Sequence, residues 1–413
     1  MNLAPQIEQY LPRQVLELIS TTSKEAQQLG QRVYLVGGVI RDLLLGYPSF
    51  DLDLVVEGEA LKLAQQVAKL CQARLVVHPR FGTAKLGYGG FTLDVATARS
   101  ETYSKPGALP TVTPGTISND LFRRDFSINA MAVSLTPGYY GELLDPYQGK
   151  GDLDSGLIRV LHPNSFTDDP TRILRAIRYE QRLGFKLEPE TARLLDGGIV
   201  ILDAVSGDRL RHELELILRE KYPEHAIRRL GELGVLPRTS LPLEDSGWIA
   251  EKFSQARQLA KLGNLSSLYL CILIYPLSED ETERFVHRLN IPAKLTRVLC
   301  DTLRLKAQLP LLDKSPMRHS DIYYLLRGYA PLAIQANILA SESSTICRHL
   351  ELFLTKLRYV KPHLNGDDLA ELGIPRGPQV GDILQELLKA RLDGEVKTRA
   401  EEERLALLLK PAR

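Results

Sequence analysis

The spacing of apolar residues changes once along this chain, and that change limits the fold more than any other feature. Before about residue 135, short apolar runs are bounded by glycine and proline. RVYLVGG (32–38), FDLDLVVEG (50–58), RLVVHP (74–79), TAKLGY (83–88) and FTLDVATA (91–98) read as strands. Three helical patterns stand among them, at 5–30, 39–46 and 59–73, the second stopped by Gly46. From Asp168 onward the apolar residues recur three and four apart almost to the end, as in DDPTRILRAIRYEQRLGF and GDRLRHELELILREKY. The expected architecture is an α/β head with a mainly antiparallel sheet, followed by a long helical body.

A chain of 413 residues with a net charge of +1 has no global field to draw in a polyanion, so any such partner must be held by local basic patches. Cys71, Cys271, Cys300 and Cys347 are far apart and form no CxxC pair, which disfavours a zinc site or a disulfide framework and suits a reducing cytosol. The longest apolar run, LYLCILIY (268–275), is too short to span a bilayer and reads as a buried helix. The N-terminus carries no signal-peptide apolar block. A cytoplasmic protein without a membrane partner is expected.

Three constellations carry chemistry. In LVGGVIRDLLLGYPSFDLDLVV (35–56), Gly37 and Gly38 stand at a strand-to-helix junction, where a backbone without Cβ atoms can approach a ligand. The N–H groups of the helix end that follows suit an anion, and Arg41 lies one turn in. Asp51 and Asp53 then occupy alternate positions of a strand, on one face and about 7 Å apart along the chain. Strands avoid Asp. A divalent cation would relieve the repulsion of two such acids, and Mg²⁺ favours carboxylates combined with phosphate oxygens. The parts suit two-metal phosphoryl transfer. On its own, an acid pair of this kind is more often a solvated strand edge.

The second constellation is RRDFSINAM (123–131), in which Arg124 suits a triphosphate and Asn129 a sugar or phosphate. By itself it is equally a surface ion-pair cluster. The third is DDPTRILRAIRYEQR (168–182). Asp168 or Asp169 fits an N-cap and Pro170 the first turn. Asp169, Arg172, Arg175, Arg178 and Arg182 share one helical face. That face is either a solvated basic stripe or a base-reading surface. An acceptor beside a donor matches the amino group and ring nitrogen of cytosine or adenine and mismatches uracil and guanine.

These three motifs, in this order, resemble the tRNA nucleotidyltransferase and bacterial poly(A) polymerase family of the bacterial and eukaryotic kind. The resemblance covers most of the chain: LLDPYQGKGDLDSGLIRVLHP (143–163) is similar to the family's head-to-neck linker and GIPRGPQVGDILQELLKARLDGEV (373–396) to its tail. It implies metal binding and catalysis at Asp51 and Asp53, with Mg²⁺ as cofactor. It implies triphosphate contacts from Gly38, Arg41 and Arg124, and base reading by Asp169 and Arg172 with Arg175 and Arg178 nearby. It also implies CTP and/or ATP as substrates and tRNA as partner, and an α/β nucleotidyltransferase head at 1–150 followed by an all-α neck at 151–225, body at 226–345 and tail at 346–413, the body and tail holding the tRNA.

Asp168 stands where the family has Glu, and the sequence holds no His-Asp doublet of the phosphohydrolase domain that some members carry. Asp94 is either a third carboxylate near the metals or a residue that orients Arg99. The segment Arg99–Phe122 contains Pro106, Gly107, Pro110, Pro114 and Gly115, which exclude a continuous helix or strand. The matching element in the family is linked to the switch from adding C to adding A. SETYSKPGALPTV (100–112) is similar to members that divide the task, adding CC only or A only. The alternatives are a poly(A) polymerase, against which the non-basic end EEERLALLLKPAR counts, and a tRNA-binding relative without catalysis, against which the intact acid pair counts. GIPRGPQVG (373–381) is either a phosphate-facing backbone turn or a tight connection between helices.

Overall fold

The structure is a computed structural model that describes residues 1–48, 51–79, 82–243, 247–258, 265–314 and 316–410, with the backbone but not the side chain of Asp51. The chain forms two compact units, Met1–Arg238 and Thr239–Arg413.

The first unit is built on a seven-stranded sheet. In chain order its strands are β1 (Arg32–Val36), β2 (Asp51–Glu57), β3 (Arg74–His78), β4 (Thr83–Tyr88) and β5 (Phe91–Thr97). After a separate ribbon of β6 (Arg99–Thr102) and β7 (Thr111–Pro114) come β8 (Ala132–Ser134) and β9 (Leu143–Leu144). The order across the sheet is β3-β4-β5-β2-β1-β8-β9. All neighbours run antiparallel except β2 and β5. The mainly antiparallel head is therefore as expected, with one parallel pair at its centre.

Alternation along β2 separates structure from chemistry. Leu52, Leu54 and Val56 are buried in the main core with Leu63 and Val67 of α4 (Ala60–Cys71) and Leu18 and Ile19 of α2 (Arg13–Gln28). Val55 belongs to a second cluster on the opposite face, with Tyr34, Val36, Ile117 and Leu121. Asp53 shares that second face by parity.

Two local expectations are corrected. The helix expected over 5–30 is two helices, α1 (Ala4–Tyr10) and α2, because Leu11 precedes Pro12 and is extended, with ψ 140°. The segment Arg99–Phe122 is not irregular throughout. Its ends pair as an antiparallel ribbon with Arg99 opposite Pro114 and Thr102 opposite Thr111, and Pro106, Gly107 and Pro110 fall in the connection. It then enters α5 (Ile117–Phe122) through a capping box between Thr116 and Asn119.

Helices α6 (Gly149–Ser155), α7 (Ser165–Asp168), α8 (Arg172–Leu183), α9 (Pro189–Gly198), α10 (Gly207–Leu218) and α11 (Pro223–Glu232) complete the first unit. Ile173, Leu174, Ala176 and Ile177 of α8 are buried. The second unit is helical in its described residues, and Leu268–Ile274 lie wholly inside one of its helices, Leu265–Ile274. No described helix is long and apolar enough to cross a membrane.

The turn Ser127–Asn129 is fixed against α6. Ser127 Oγ donates to Asp152 at 2.6 Å, and Asp145 accepts from the N–H groups of Gly149 and Lys150 at 2.7 and 2.9 Å. A Cβ at Gly149 would collide with the Ser127 carbonyl, whose carbon would be 2.8 Å away. Backbone cannot move aside cheaply, so Gly149→Ala should destabilise the protein by about 1–3 kcal/mol. A fall in the urea midpoint measures this, and an unchanged midpoint would contradict the packing.

Candidate active site

Gly37 leaves β1 with φ +80°, a conformation that glycine adopts at little cost, and Gly38 opens α3 (Gly38–Leu44). A Cβ on Gly37 would stand 2.8 Å from Nη1 of Arg124 and 3.8 Å from Oδ2 of Asp53. The glycine turn is therefore flanked by a guanidinium and a carboxylate. Asp53 pairs with Val36 on one side and Asp94 on the other in the ladder. Asp94 makes an ion pair with Lys85 at 3.1 Å, while Arg99 pairs with Glu101 at 2.9 Å, so orienting Arg99 is not the contact Asp94 makes.

A cleft of about 1110 Å³ opens here, inside the first unit. Gly38, Arg41, Asp53, Arg124, Asp169, Arg172, Arg175 and Arg178 all line it. The structure thus brings together eight of the nine residues singled out in the sequence, although they span 141 positions from Gly38 to Arg178. The side chain of the ninth, Asp51, lies outside the described residues. Nine of the lining residues are arginines and seven are carboxylates.

Each arginine is held by particular partners. Arg41, 3% exposed, contacts Asp42 at 2.8 Å and donates to Asn129 Oδ1 at 2.7 Å. Its guanidinium also lies 5.2 Å from the Tyr179 ring centre. Arg124 contacts the fully buried carboxylate of Asp120 at 3.0 Å, and its buried Nε has no hydrogen-bond partner. Arg172, 4% exposed, donates to Ser165 Oγ and to the Arg123 carbonyl, both at 2.7 Å. Arg175 donates through Nε and Nη2 to Asp125 Oδ2 at 2.9 and 2.5 Å. Arg178 lies within 3.8 Å of Glu213 and 4.0 Å of Glu220.

Arg172, Arg175 and Arg178 are therefore not part of a solvated stripe, whereas Arg182 at the end of the same face is exposed. The N-cap expected at Asp168 or Asp169 falls to neither: Thr171 occupies that position of α8. Helix α8 begins at Arg172, and Asp169 ends α7 in an extended conformation. Its Oδ1 accepts from the N–H and the hydroxyl of Thr171 at 3.0 and 2.6 Å, so the acid fixes the tight turn before the helix. Pro170 lies in that turn.

Asp125 is the residue that motif reading undervalued. It was visible as the third member of RRD, but its partners come from positions 129 and 175. Burial alone would push its carboxyl up. The Arg175 charge, donation from Asn129 and Arg175, and the Arg172 charge outweigh burial and hold it at about 2. Burial pushes the nearby Glu213 carboxyl up, against the pull of Arg175 and Arg178. Asp120, Tyr179 and Arg209 are further side chains with no local signal.

Among the described residues, no group of three or more His, Cys, Asp or Glu side chains is placed to hold a metal. The hard oxygen donors that remain are suited to one nonetheless: Asp53 faces the glycine turn, Asp94 is its ladder partner, and the backbone of Asp51 is two residues away in the same strand.

The model of the poly A polymerase head domain matches residues 33–159, and that of the probable RNA and SrmB-binding site of polymerase A matches 184–239. An A-adding tRNA nucleotidyltransferase of Halalkalibacterium halodurans is 35% identical over 93% of this chain and 90% of its own length. One from Geobacter sulfurreducens is 37% identical over 97% of this chain, which spans 48% of that relative's length. A CC-adding tRNA nucleotidyltransferase of Geobacter sulfurreducens is 30% identical, covering 94% of each chain. The solved apo form II of a CCA-adding enzyme superposes with a TM-score of 0.81 at 31% identity, covering 99% of both chains. A Thermotoga maritima CCA-adding enzyme complexed with tRNA superposes at 0.75 and 31%, covering 99% of this chain and 98% of its own. The chain belongs to the tRNA nucleotidyltransferase and poly(A) polymerase family.

The Asp125–Arg175 pair makes a pH prediction. The folded carboxyl sits below its ordinary value of about 3.9. Its contribution to stability is therefore present above about pH 4 and lost as pH falls through about 2. Asp125→Asn leaves Arg175 poorly paired and should cost about 3 kcal/mol at pH 7. In urea titrations, the gap between wild type and variant should stay level from pH 7 to about 4 and close below that. A gap that widens in acid would refute the assignment.

Proposed function

We propose that this chain is a template-independent tRNA nucleotidyltransferase of the A-adding kind, transferring AMP from ATP to the 3′ end of a tRNA that ends in CC. The observation that carries nucleotidyl transfer is the single cleft, which joins the Gly37–Asp53–Arg124 end to the Asp169–Arg172 end. The A-adding preference is supported by identities of 37% and 35% to A-adding relatives against 30% to a CC-adding one.

In this reading the tRNA 3′-oxygen forms a bond to the α-phosphorus of ATP, the α–β phosphoanhydride bond breaks, and pyrophosphate leaves. Arg41 and Arg124 hold the triphosphate. Their own partners, Asn129 with Asp42 and Asp120, fix the guanidinium planes before substrate arrives. Gly37 and Gly38 let the phosphates approach the backbone. Asp51 and Asp53 hold Mg²⁺, which when bound would lower the pKa of the attacking hydroxyl and offset charge on the leaving group. Asp169 accepts from the exocyclic amino group of the base, and Arg172 donates to the adjacent ring nitrogen. A base with the opposite pattern leaves both groups unpaired, a strong ground for rejection.

We assign residues 1–150 to catalysis, 151–225 to base reading, and 226–345 and 346–413 to tRNA backbone contacts in the cytoplasm. RNA of this kind is held by shape and phosphate contacts along basic surface.

The direct test offers tRNAs ending at the discriminator base, at C and at CC, each with CTP, ATP or both. Extension of the CC-ended tRNA by one A, with no extension of the other two, is expected. Addition of C would replace the reading with CC or CCA addition, and a long A tract with polyadenylation. Asp53→Ala should abolish incorporation while the circular dichroism spectrum persists; near-normal turnover by the folded variant would defeat the metal assignment. Arg172→Ala should lose selectivity against UTP more than it loses affinity for the triphosphate. Unchanged discrimination there would remove Arg172 from base reading.

A further inference from the structure

Arg209, the third residue of α10, is not part of the cleft lining, yet it touches the acid assigned to base reading. Its Nη2 donates to Asp169 Oδ1 at 2.6 Å, and its Nη1 to the carbonyl of Gly107 at 3.0 Å. Gly107 lies in the connection between β6 and β7, with φ +70°. Its N–H donates to the Thr167 carbonyl at 3.3 Å, and a Cβ there would meet Ala204 at 3.5 Å. One guanidinium thus joins three elements: the ribbon turn, the α7–α8 corner and α10.

The two oxygens of Asp169 are in unequal positions. Oδ1 accepts three hydrogen bonds, from the N–H and hydroxyl of Thr171 and from Arg209. Oδ2 accepts none from any described residue. The terminal torsion of Asp is broad and two-fold, so nothing intrinsic to the side chain distinguishes the two oxygens. The partners do. With Oδ1 pinned, Oδ2 is the acceptor left to meet a ligand in the cleft.

We propose that Arg209 is a positioning residue for nucleotide selection: it fixes the carboxylate plane of Asp169 so that Oδ2 faces the amino group of the incoming base, and it ties that orientation to the ribbon turn at Gly107. The inference rests on the assignment of Asp169 to base reading. Arg209 does not touch the nucleotide. It acts by holding the Asp169 carboxylate against the base edge, where a uracil or guanine carbonyl would face an acceptor oxygen instead of a donor. A planar fork suits two acceptors at once, which a lysine point charge does not.

The test compares kcat/KM for ATP with that for UTP and GTP in wild type, R209Q, R209K and G107A. R209Q should lower the selectivity ratio at least about tenfold, mainly through faster use of UTP and GTP, with KM for ATP little changed. R209K should fall between wild type and R209Q. G107A, strained by its positive φ and pressed against Ala204, should lower the ratio while leaving the Arg209 side chain intact. A purely structural Arg209 would lower the urea midpoint and leave the ratio alone, and that outcome overturns the proposal. Where R209Q fails to fold, a wild-type ratio in folded R209K overturns it equally. A wild type that uses UTP as readily as ATP would instead sink the base-reading assignment beneath it. A selective wild type beside equally selective Arg209 variants would sink only the role given to Arg209.

Discussion

The site depends on one buried carboxylate. Asp125 accepts from Arg175 and from Asn129, and Asn129 in turn accepts from Arg41. Arg41 stands in α3, Asn129 in the turn after RRD, and Arg175 in α8, so a single acid connects the helix after the glycine turn to the helix that carries Arg172. Burying such charges is expensive, and a pair of this kind often adds little stability compared with apolar residues of the same volume. What it adds here is geometry. Each guanidinium is held in one plane, so its remaining donors are already aimed when an anion enters. The same network explains why the arginines of α8 do not repel one another apart: Arg175 and Arg178 share the buried Glu213.

The sheet performs the complementary task at the other end of the cleft. Placing Asp53 beside Asp94 requires a parallel β2–β5 pair in an otherwise antiparallel sheet. Such a pair needs a crossover, and α4 with the β3–β4 hairpin supplies it. The main core then clamps the opposite face of β2 through Leu52, Leu54 and Val56. A strand anchored on one face by three large aliphatic residues can tolerate an acid such as Asp53 on the other. The cost of that acid is electrostatic and local, and a cation bound there would offset it.

How much of this was legible in the sequence follows from how local each signal is. The period-2 pattern around Asp51 and Asp53 and the glycine pair before Arg41 fall within a single strand–helix–strand unit, so both appear directly. The 3.6-residue period of α8 was equally plain, but not which face was buried. Both faces are: one against aliphatic core, the other against Asp125, Glu213 and the cleft. The ribbon of Arg99–Thr102 with Thr111–Pro114 was invisible because cross-strand pairing over a connection rich in proline and glycine leaves no periodic trace. Pro12 did announce the break between α1 and α2, since the residue before a proline avoids helical torsions. Asp169 was read as a cap from its place before Pro170. Its bond to Arg209, forty residues on, has no counterpart in local sequence.

Hydrogen-bond pattern and size make separate contributions to the choice of nucleotide. Cytosine and adenine present the same edge to an acceptor–donor pair, so the base reading proposed for Asp169 and Arg172 would separate C and A from U and G but not from each other. Distinguishing a pyrimidine from a purine requires a difference in the space between the base-reading edge and the phosphate-holding end. In this structure the phosphate end is fixed by the sheet and by Asp120 and Asp125. The lining also includes Tyr103, which directly follows β6 and donates to Glu101 at 2.9 Å. Its ribbon is tied to the helices through Gly107, by Arg209 and by the Thr167 carbonyl. A change in the length or docking of that connection would alter the space available to the base without touching the residues that read its edge. On the proposed assignment, selectivity for amino-bearing bases belongs to Asp169 and Arg172, while the room for a purine depends on where the ribbon rests.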